Sequence, residues 1–345
     1  MDVLRTNILT IDGRQYRLNT ADIVSSELVE TQNNYHRDLS PYIEADDYDE
    51  DNDDANIYND GDNYISKLEI PNTFYGLIIG KNRETLKSIE SQTCARIKIP
   101  KQNEIIIIQG KERSHVIAAK SRIESIVKRG RSRQSITHFI SFPMLNEAVV
   151  KNYLTFKEKV LENCQNCRGV SESLFNEELK LHLTITCFIL CNRSEINKTV
   201  LLTKELEKSI LRPKNLNTLD ISIQGLDYMN DDPSDVNILY AKVHNPELQS
   251  LANEIQSFFS KSDLAQKPRN DNVKLHVTLM KTNFDENTSK NNYKNKTRST
   301  FDATQIVQIF GDFNFGTVHL KQLHLSQRYT TDSNGYYKFS YIATL

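Results

Sequence analysis

Leu181-His182-Leu183-Thr184-Ile185 and Leu275-His276-Val277-Thr278-Leu279 are one pattern written twice, 94 residues apart. Each alternates apolar and polar residues as a half-buried strand does. Side chains on a strand point to opposite faces in turn, so His182 shares a face with Thr184 and His276 with Thr278, while their apolar neighbours point into a core. Side by side, the two strands would bring four polar groups into one cleft. That set suits phosphodiester chemistry without a metal. One imidazole takes a proton from the attacking water or hydroxyl and the other gives one to the leaving oxygen, which contributes about 10²–10⁴-fold in rate. The threonine hydroxyls would hold phosphoryl oxygens in place. Two structural histidines, or a site that binds a phosphodiester without turnover, fit the same residues.

The remaining reactive side chains are less informative. His324-Leu325-Ser326 also fits an H-x-S pattern, but Gln327 breaks the apolar frame, so His324 is expected in the core or at a rim. His138, His244 and His319 read as structural. Cys164-Gln-Asn-Cys167 has metal-ligand spacing, but no second CxxC or matched histidine pair accompanies it. The five cysteines are expected as reduced thiols, with no metal and no cofactor. Residues 281–300 hold five basic, two acidic and five Asn residues. This polar stretch reads as a mobile lid over the cleft or an insertion of no consequence.

A second constellation is Ile78-Ile79-Gly80-Lys81-Asn82-Arg83, followed by a helical stretch that carries Lys87. A glycine between two helices lets backbone N–H groups approach a phosphate, and the next helix adds positive potential at its N-terminus. Lys81, Arg83 and Lys87 add charge, and Ile78 and Ile79 would floor a groove beneath bases. Arg131 and Arg133, in Lys128-Arg129-Gly130-Arg131-Ser132-Arg133, would extend the phosphate track or serve as a nuclear import signal, unless the run is only a solvated linker.

The elements that must position these residues divide the chain by charge. The net charge of −2 conceals residues 1–66 at −12, residues 67–133 at +9 and the rest at +1. Residues 44–62 hold ten acidic side chains and no basic ones, too polar to offset their ordering entropy. Residues 1–18 read as a short partner-docking motif or a frayed end. Periodicity then predicts β-α-α-β-β-α over residues 67–128, a basic linker at 129–134, and mixed strands and helices over 135–345. No run approaches 18 apolar residues and no secretory signal opens the chain, so no membrane partner is expected.

The Ile70–Ile89 stretch resembles the KH family, which clamps about four nucleotides of a single strand with a GxxG loop between two helices. Here Arg83 stands where that loop has its second glycine. The H-x-T pair resembles the two-histidine (2H) phosphoesterase superfamily, whose members act on 2′,5′ or 2′,3′-cyclic nucleotide bonds. Together the resemblances imply an α+β chain: a type I KH domain, then a two-lobed 2H phosphoesterase domain, behind a disordered acidic tail. The partners they imply are single-stranded RNA or DNA and a nucleotide phosphodiester. Met1-Asp2-Val3-Leu4-Arg5 with Asp12-Gly13-Arg14, Tyr228-Met229-Asn230-Asp231-Asp232-Pro233, Leu239-Tyr240-Ala241-Lys242-Val243-His244 and Ser326-Gln327-Arg328-Tyr329 extend the likeness. They are similar to a family of subunits of a transcription-coactivator and alkylation-damage-repair complex. That likeness implies a nuclear (in part cytoplasmic) location and helicase and ubiquitin-binding partner subunits.

Overall fold

A computed structural model describes residues 7–11, 14–18, 57–100, 105–214, 219–268, 270–282 and 299–345. The acidic tract up to residue 56 and the lid segment 283–298 lie outside the described residues. The chain forms two units, Met1–Asn52 and Asp53–Leu345. In the first, β1 (Asn7–Ile11) and β2 (Arg14–Leu18) pair antiparallel with Ile11 opposite Arg14.

The second unit opens with an antiparallel sheet in the order β3-β4-β6-β5, made of β3 (Ile57–Asn59), β4 (Tyr64–Glu69), β5 (Ala95–Lys98) and β6 (Ile105–Gly110). Helices α1 (Tyr75–Ile79), α2 (Glu84–Thr93) and α3 (Arg113–Arg131) cover it. The β-α-α-β-β-α order is as the sequence predicts. Two boundaries are corrected. The smaller module's sheet starts at Ile57 rather than 67, because Ile57 and Tyr58 find partners in Ser66 and Ile65 of β4. The first half of the expected basic linker is helix, because α3 runs on through Gly130 to Arg131. Gly130 is there for close approach: a Cβ would lie 2.5 Å from Leu77 Cδ1 of α1.

The larger sheet has eight strands in the order β12-β9-β10-β11-β8-β7-β13-β14. They are β7 (His138–Pro143), β8 (His182–Phe188), β9 (Asp220–Tyr228), β10 (Ile238–Val243), β11 (His276–Lys281), β12 (Asn314–His319), β13 (Gln322–Thr331) and β14 (Tyr337–Thr344). The two lobes therefore meet at β11 and β8. Helices pack on the opposite face from the histidines. In α4 (Glu147–Cys164) the Asn146 side chain accepts from Ala148 N, and Val149, Tyr153, Phe156, Val160 and Cys164 form its buried stripe. Helix α5 (Arg193–Leu206) continues through a π turn, Glu207–Leu211, into α6 (Arg212–Lys214). Asn245 caps α7 (Pro246–Ser260), where Pro246 takes the first turn, and α8 (Thr304–Phe310) completes the set. Among the described residues no helix is long and apolar enough to cross a membrane.

Candidate functional site

Strands β8 and β11 run antiparallel with Val277 opposite Leu183, so Thr278 faces His182 and His276 faces Thr184. Leu183 and Val277 are buried in the core. The two H-x-T sets therefore share the other face, half-buried, with His182 and His276 at diagonal positions, which on adjacent antiparallel strands places residues about 7–8 Å apart. The expected convergence of His182, Thr184, His276 and Thr278 is present.

Each imidazole is held in the same way. The Nδ1–H of His182 donates to the Lys180 carbonyl at 2.7 Å, and that of His276 to the Lys274 carbonyl at 2.6 Å. A carbonyl only accepts, so both rings carry their proton on Nδ1 and leave Nε2 as a lone pair. Each ring also meets a tyrosine edge-on at 5.3 Å: Tyr337 for His182, Tyr240 for His276. Lys180 lies over Tyr337 at 5.6 Å and Lys274 over Tyr240 at 4.8 Å. The repeat is thus longer than H-x-T. It is Lys-Leu-His-x-Thr, and the lysine two residues before each histidine was its legible sign. Tyr240, Tyr337 and Phe139, 4.9 Å from His182, come from other strands and carry no local signal.

Burial pushes the His182 pKa down to about 4, and Lys281 and His276 add to the effect. Burial, with Lys274 beside it, also lowers that of His276. Both rings are neutral near pH 7 until an anion arrives. His324 is buried, as expected for a core residue, and His138 is buried beside Thr137. His319 pairs with Asp220 at 2.9 Å, and His244 is exposed just past β10. Cys164 is a buried thiol pushed up to about 11 by burial, and Cys167 contacts Gln305.

In the smaller module, Gly80 links α1 to α2 with φ 69° and ψ 176°, and a Cβ there would fall 2.2 Å from Thr85 Oγ1. Asn82 (φ 51°, ψ 26°) and Arg83 (φ 62°, ψ 21°) are both left-handed. The loop keeps the turn of a GxxG clamp although arginine replaces its second glycine, at about 1–2 kcal/mol for a side chain in that region. Lys81, Asn82, Arg83 and Lys87 are exposed, and Ile79 is half-buried. Ile78 is a correction: it is fully buried with Phe74 and Leu86, so it belongs to the core rather than to a groove floor.

Arg131 is a second correction. Its guanidinium makes a bidentate pair with Glu195 of α5 at 2.5 and 3.1 Å, donates to the Ile189 carbonyl, and lies 5.2 Å from the Phe74 ring centre. Its donors are committed to the joint between the two modules rather than to a phosphate. Arg133 is exposed. Arg96 and Lys98 are exposed on edge strand β5, the solvated half of an alternating strand.

A KH fold joined to a two-histidine phosphoesterase-like sheet defines a class of protein, and comparison with known proteins agrees. Residues 65–125 match the KH domain model, and residues 136–345 match the model described as the AKAP7 2′5′ RNA ligase-like domain. The chain is 34% identical over 355 residues to activating signal cointegrator 1 complex subunit 1 from Mus musculus, with 98% of each chain covered. It belongs to that family. Solved structures with a similar arrangement include a Thermus thermophilus protein (15% identity, TM-score 0.39, 61% of this chain and 98% of that one) and a phosphoesterase (14%, 0.34, 61% and 96%).

Proposed function

We propose that this chain is an RNA-binding subunit of a nuclear transcription-coactivator and alkylation-damage-repair complex, and that its two-histidine cleft hydrolyses a nucleotide phosphodiester without a metal. The observation that carries the chemistry is the matched fixing of both imidazoles, each Nδ1–H on a backbone carbonyl and each Nε2 free. One Nε2 takes a proton from water as the water oxygen bonds to phosphorus. The other, protonated once the anion has entered, gives its proton to the ribose oxygen as the P–O bond breaks. Thr184 and Thr278 donate to the non-bridging oxygens. Which histidine is the acid follows from the orientation of the substrate. On the KH side, Gly80 and its neighbours Lys81, Asn82, Arg83 and Lys87 hold the backbone of a single strand, with Ile79 beneath the bases and Arg133 at the margin.

Incubation with 2′,3′-cyclic-ended and 2′,5′-linked oligonucleotides tests the reading. Turnover is expected from the wild type, and a loss of at least 10²-fold from His182→Ala or His276→Ala. Turnover untouched by both substitutions would overturn it. The helicase and ubiquitin-binding partners and the nuclear location rest on the family likeness. Recovery of both subunits with the tagged chain from a nuclear extract is the matching test.

A further inference from the structure

The cleft face of the large sheet continues past His182 into polar side chains that the two-histidine chemistry leaves unused. Ser141 of β7 lies opposite Thr184 on one side and opposite His324 of β13 on the other. Ser326 shares His324's face, and Tyr336, the residue before β14, sets its ring edge-on to His324 at 5.7 Å. All four are buried: Ser141 and Ser326 fully, Tyr336 to 5% and His324 to 8% exposure.

Their polar atoms converge. His324 Nε2–H donates to Gln322 Oε1 at 3.2 Å, which makes Nδ1 the acceptor. Burial keeps this imidazole neutral, its pKa pushed down to about 4. The Tyr336 hydroxyl is near enough to Ser141 and Ser326 for both to bias its proton. Yet no protein group among the described residues completes a hydrogen bond of normal geometry to Ser141 Oγ, Ser326 Oγ, Tyr336 OH or His324 Nδ1. Folded proteins rarely bury polar atoms in that state, and a cluster of four calls for a ligand. Three hydroxyls and one imidazole lone pair carry no charge, so the set suits neither a phosphate nor a cation. It complements water, which needs two to four polar partners.

The neighbourhood gives the site a task. Tyr336 packs edge-on to Tyr337 at 5.4 Å, and Tyr337 is the wall of His182 and of Phe139. We propose that Ser141, Ser326, His324 and Tyr336 form an internal hydration site, whose one or two bound waters fasten the β13–β14 turn and so keep Tyr337 seated against His182. The site stands whether or not the cleft turns anything over.

Ser326→Ala and Ser141→Ala in the full chain decide it, because each deletes one hydroxyl with almost no change of volume. If water bridges these groups, each substitution lowers Tm by about 3 °C. If the hydroxyls are unpartnered, deleting one relieves a cost, and an unchanged or raised Tm overturns the proposal. Tyr336→Phe repeats the test from the other side should either serine variant fail to fold. Histidine NMR then reads the fastening: the His182 titration midpoint is expected to move up toward the ordinary value in Ser326→Ala. A lowered Tm with an unmoved His182 midpoint overturns the link to the cleft.

Discussion

At the residue scale the site is governed by desolvation. His182, His276 and His324 all titrate below the ordinary histidine range because burial disfavours their charged forms. A bound phosphate reverses this for the pair in the cleft, since an anion between two imidazoles favours protonation. Inorganic phosphate should therefore bind more tightly as pH falls from 7 toward 5, with uptake of protons. Isothermal titration in buffers of different ionisation heat measures that uptake, and pH-independent affinity would contradict it. Without ligand the sign is opposite. The unfolded chain takes up protons below about pH 6.5 that the folded His182 and His324 refuse until about pH 4, so stability falls through that window. Arg83 poses a separate question. Arg83→Gly should stabilise the fold by about 1 kcal/mol by relieving the left-handed strain. It should also reduce the salt slope of RNA binding by about one if the guanidinium contacts a phosphate. Denaturation and a salt series on the same variant read the two effects separately.

Among the elements, the two H-x-T strands and the KH order were legible because alternation and helical spacing are local signals. Three features were not. Strand β3 reads as part of the acidic tract because Ile57-Tyr58-Asn59 becomes a strand only by pairing with β4. The end of α3 was hidden by Gly130, which looks like a helix stop but is a contact with Leu77 and Phe74. Arg131 followed from that error: in a linker it would be a free cation, whereas at the end of α3 it reaches Glu195. This joint makes its own prediction. Glu195→Gln leaves a half-buried guanidinium without its counter-charge and should cost about 3 kcal/mol. In urea, the single unfolding transition expected of the wild type should broaden or split. A variant as stable as wild type would mean the joint contributes little.

The whole molecule places its charge by region. Residues 1–56 hold fourteen acidic and four basic side chains, ahead of the strongly basic KH module. Removing residues 1–56, a cut that spares β3, should tighten RNA binding at low salt, with the gain fading near 0.5 M as screening shortens to a few ångströms. Equal affinity at both salts would refute it. Behind the charge the two modules share contacts: Lys198–Glu69 at 2.6 Å joins Arg131–Glu195, and Cys191 packs against the KH core. The strand order of the large sheet has one further effect. β7 and β8 belong to the same lobe as β13 and β14, while β9 to β12 make up the other lobe between them in sequence. During synthesis the ribosome therefore starts the His182 lobe, delivers the whole His276 lobe, and only then supplies the strands that finish the first. Until residues 322–344 emerge, β7 has an open edge and His182 lacks its tyrosine. The nascent chain thus carries a half-built sheet for as long as it takes to make more than a hundred residues, and a frameshift near residue 320 would spare both H-x-T words while leaving one of them without a wall.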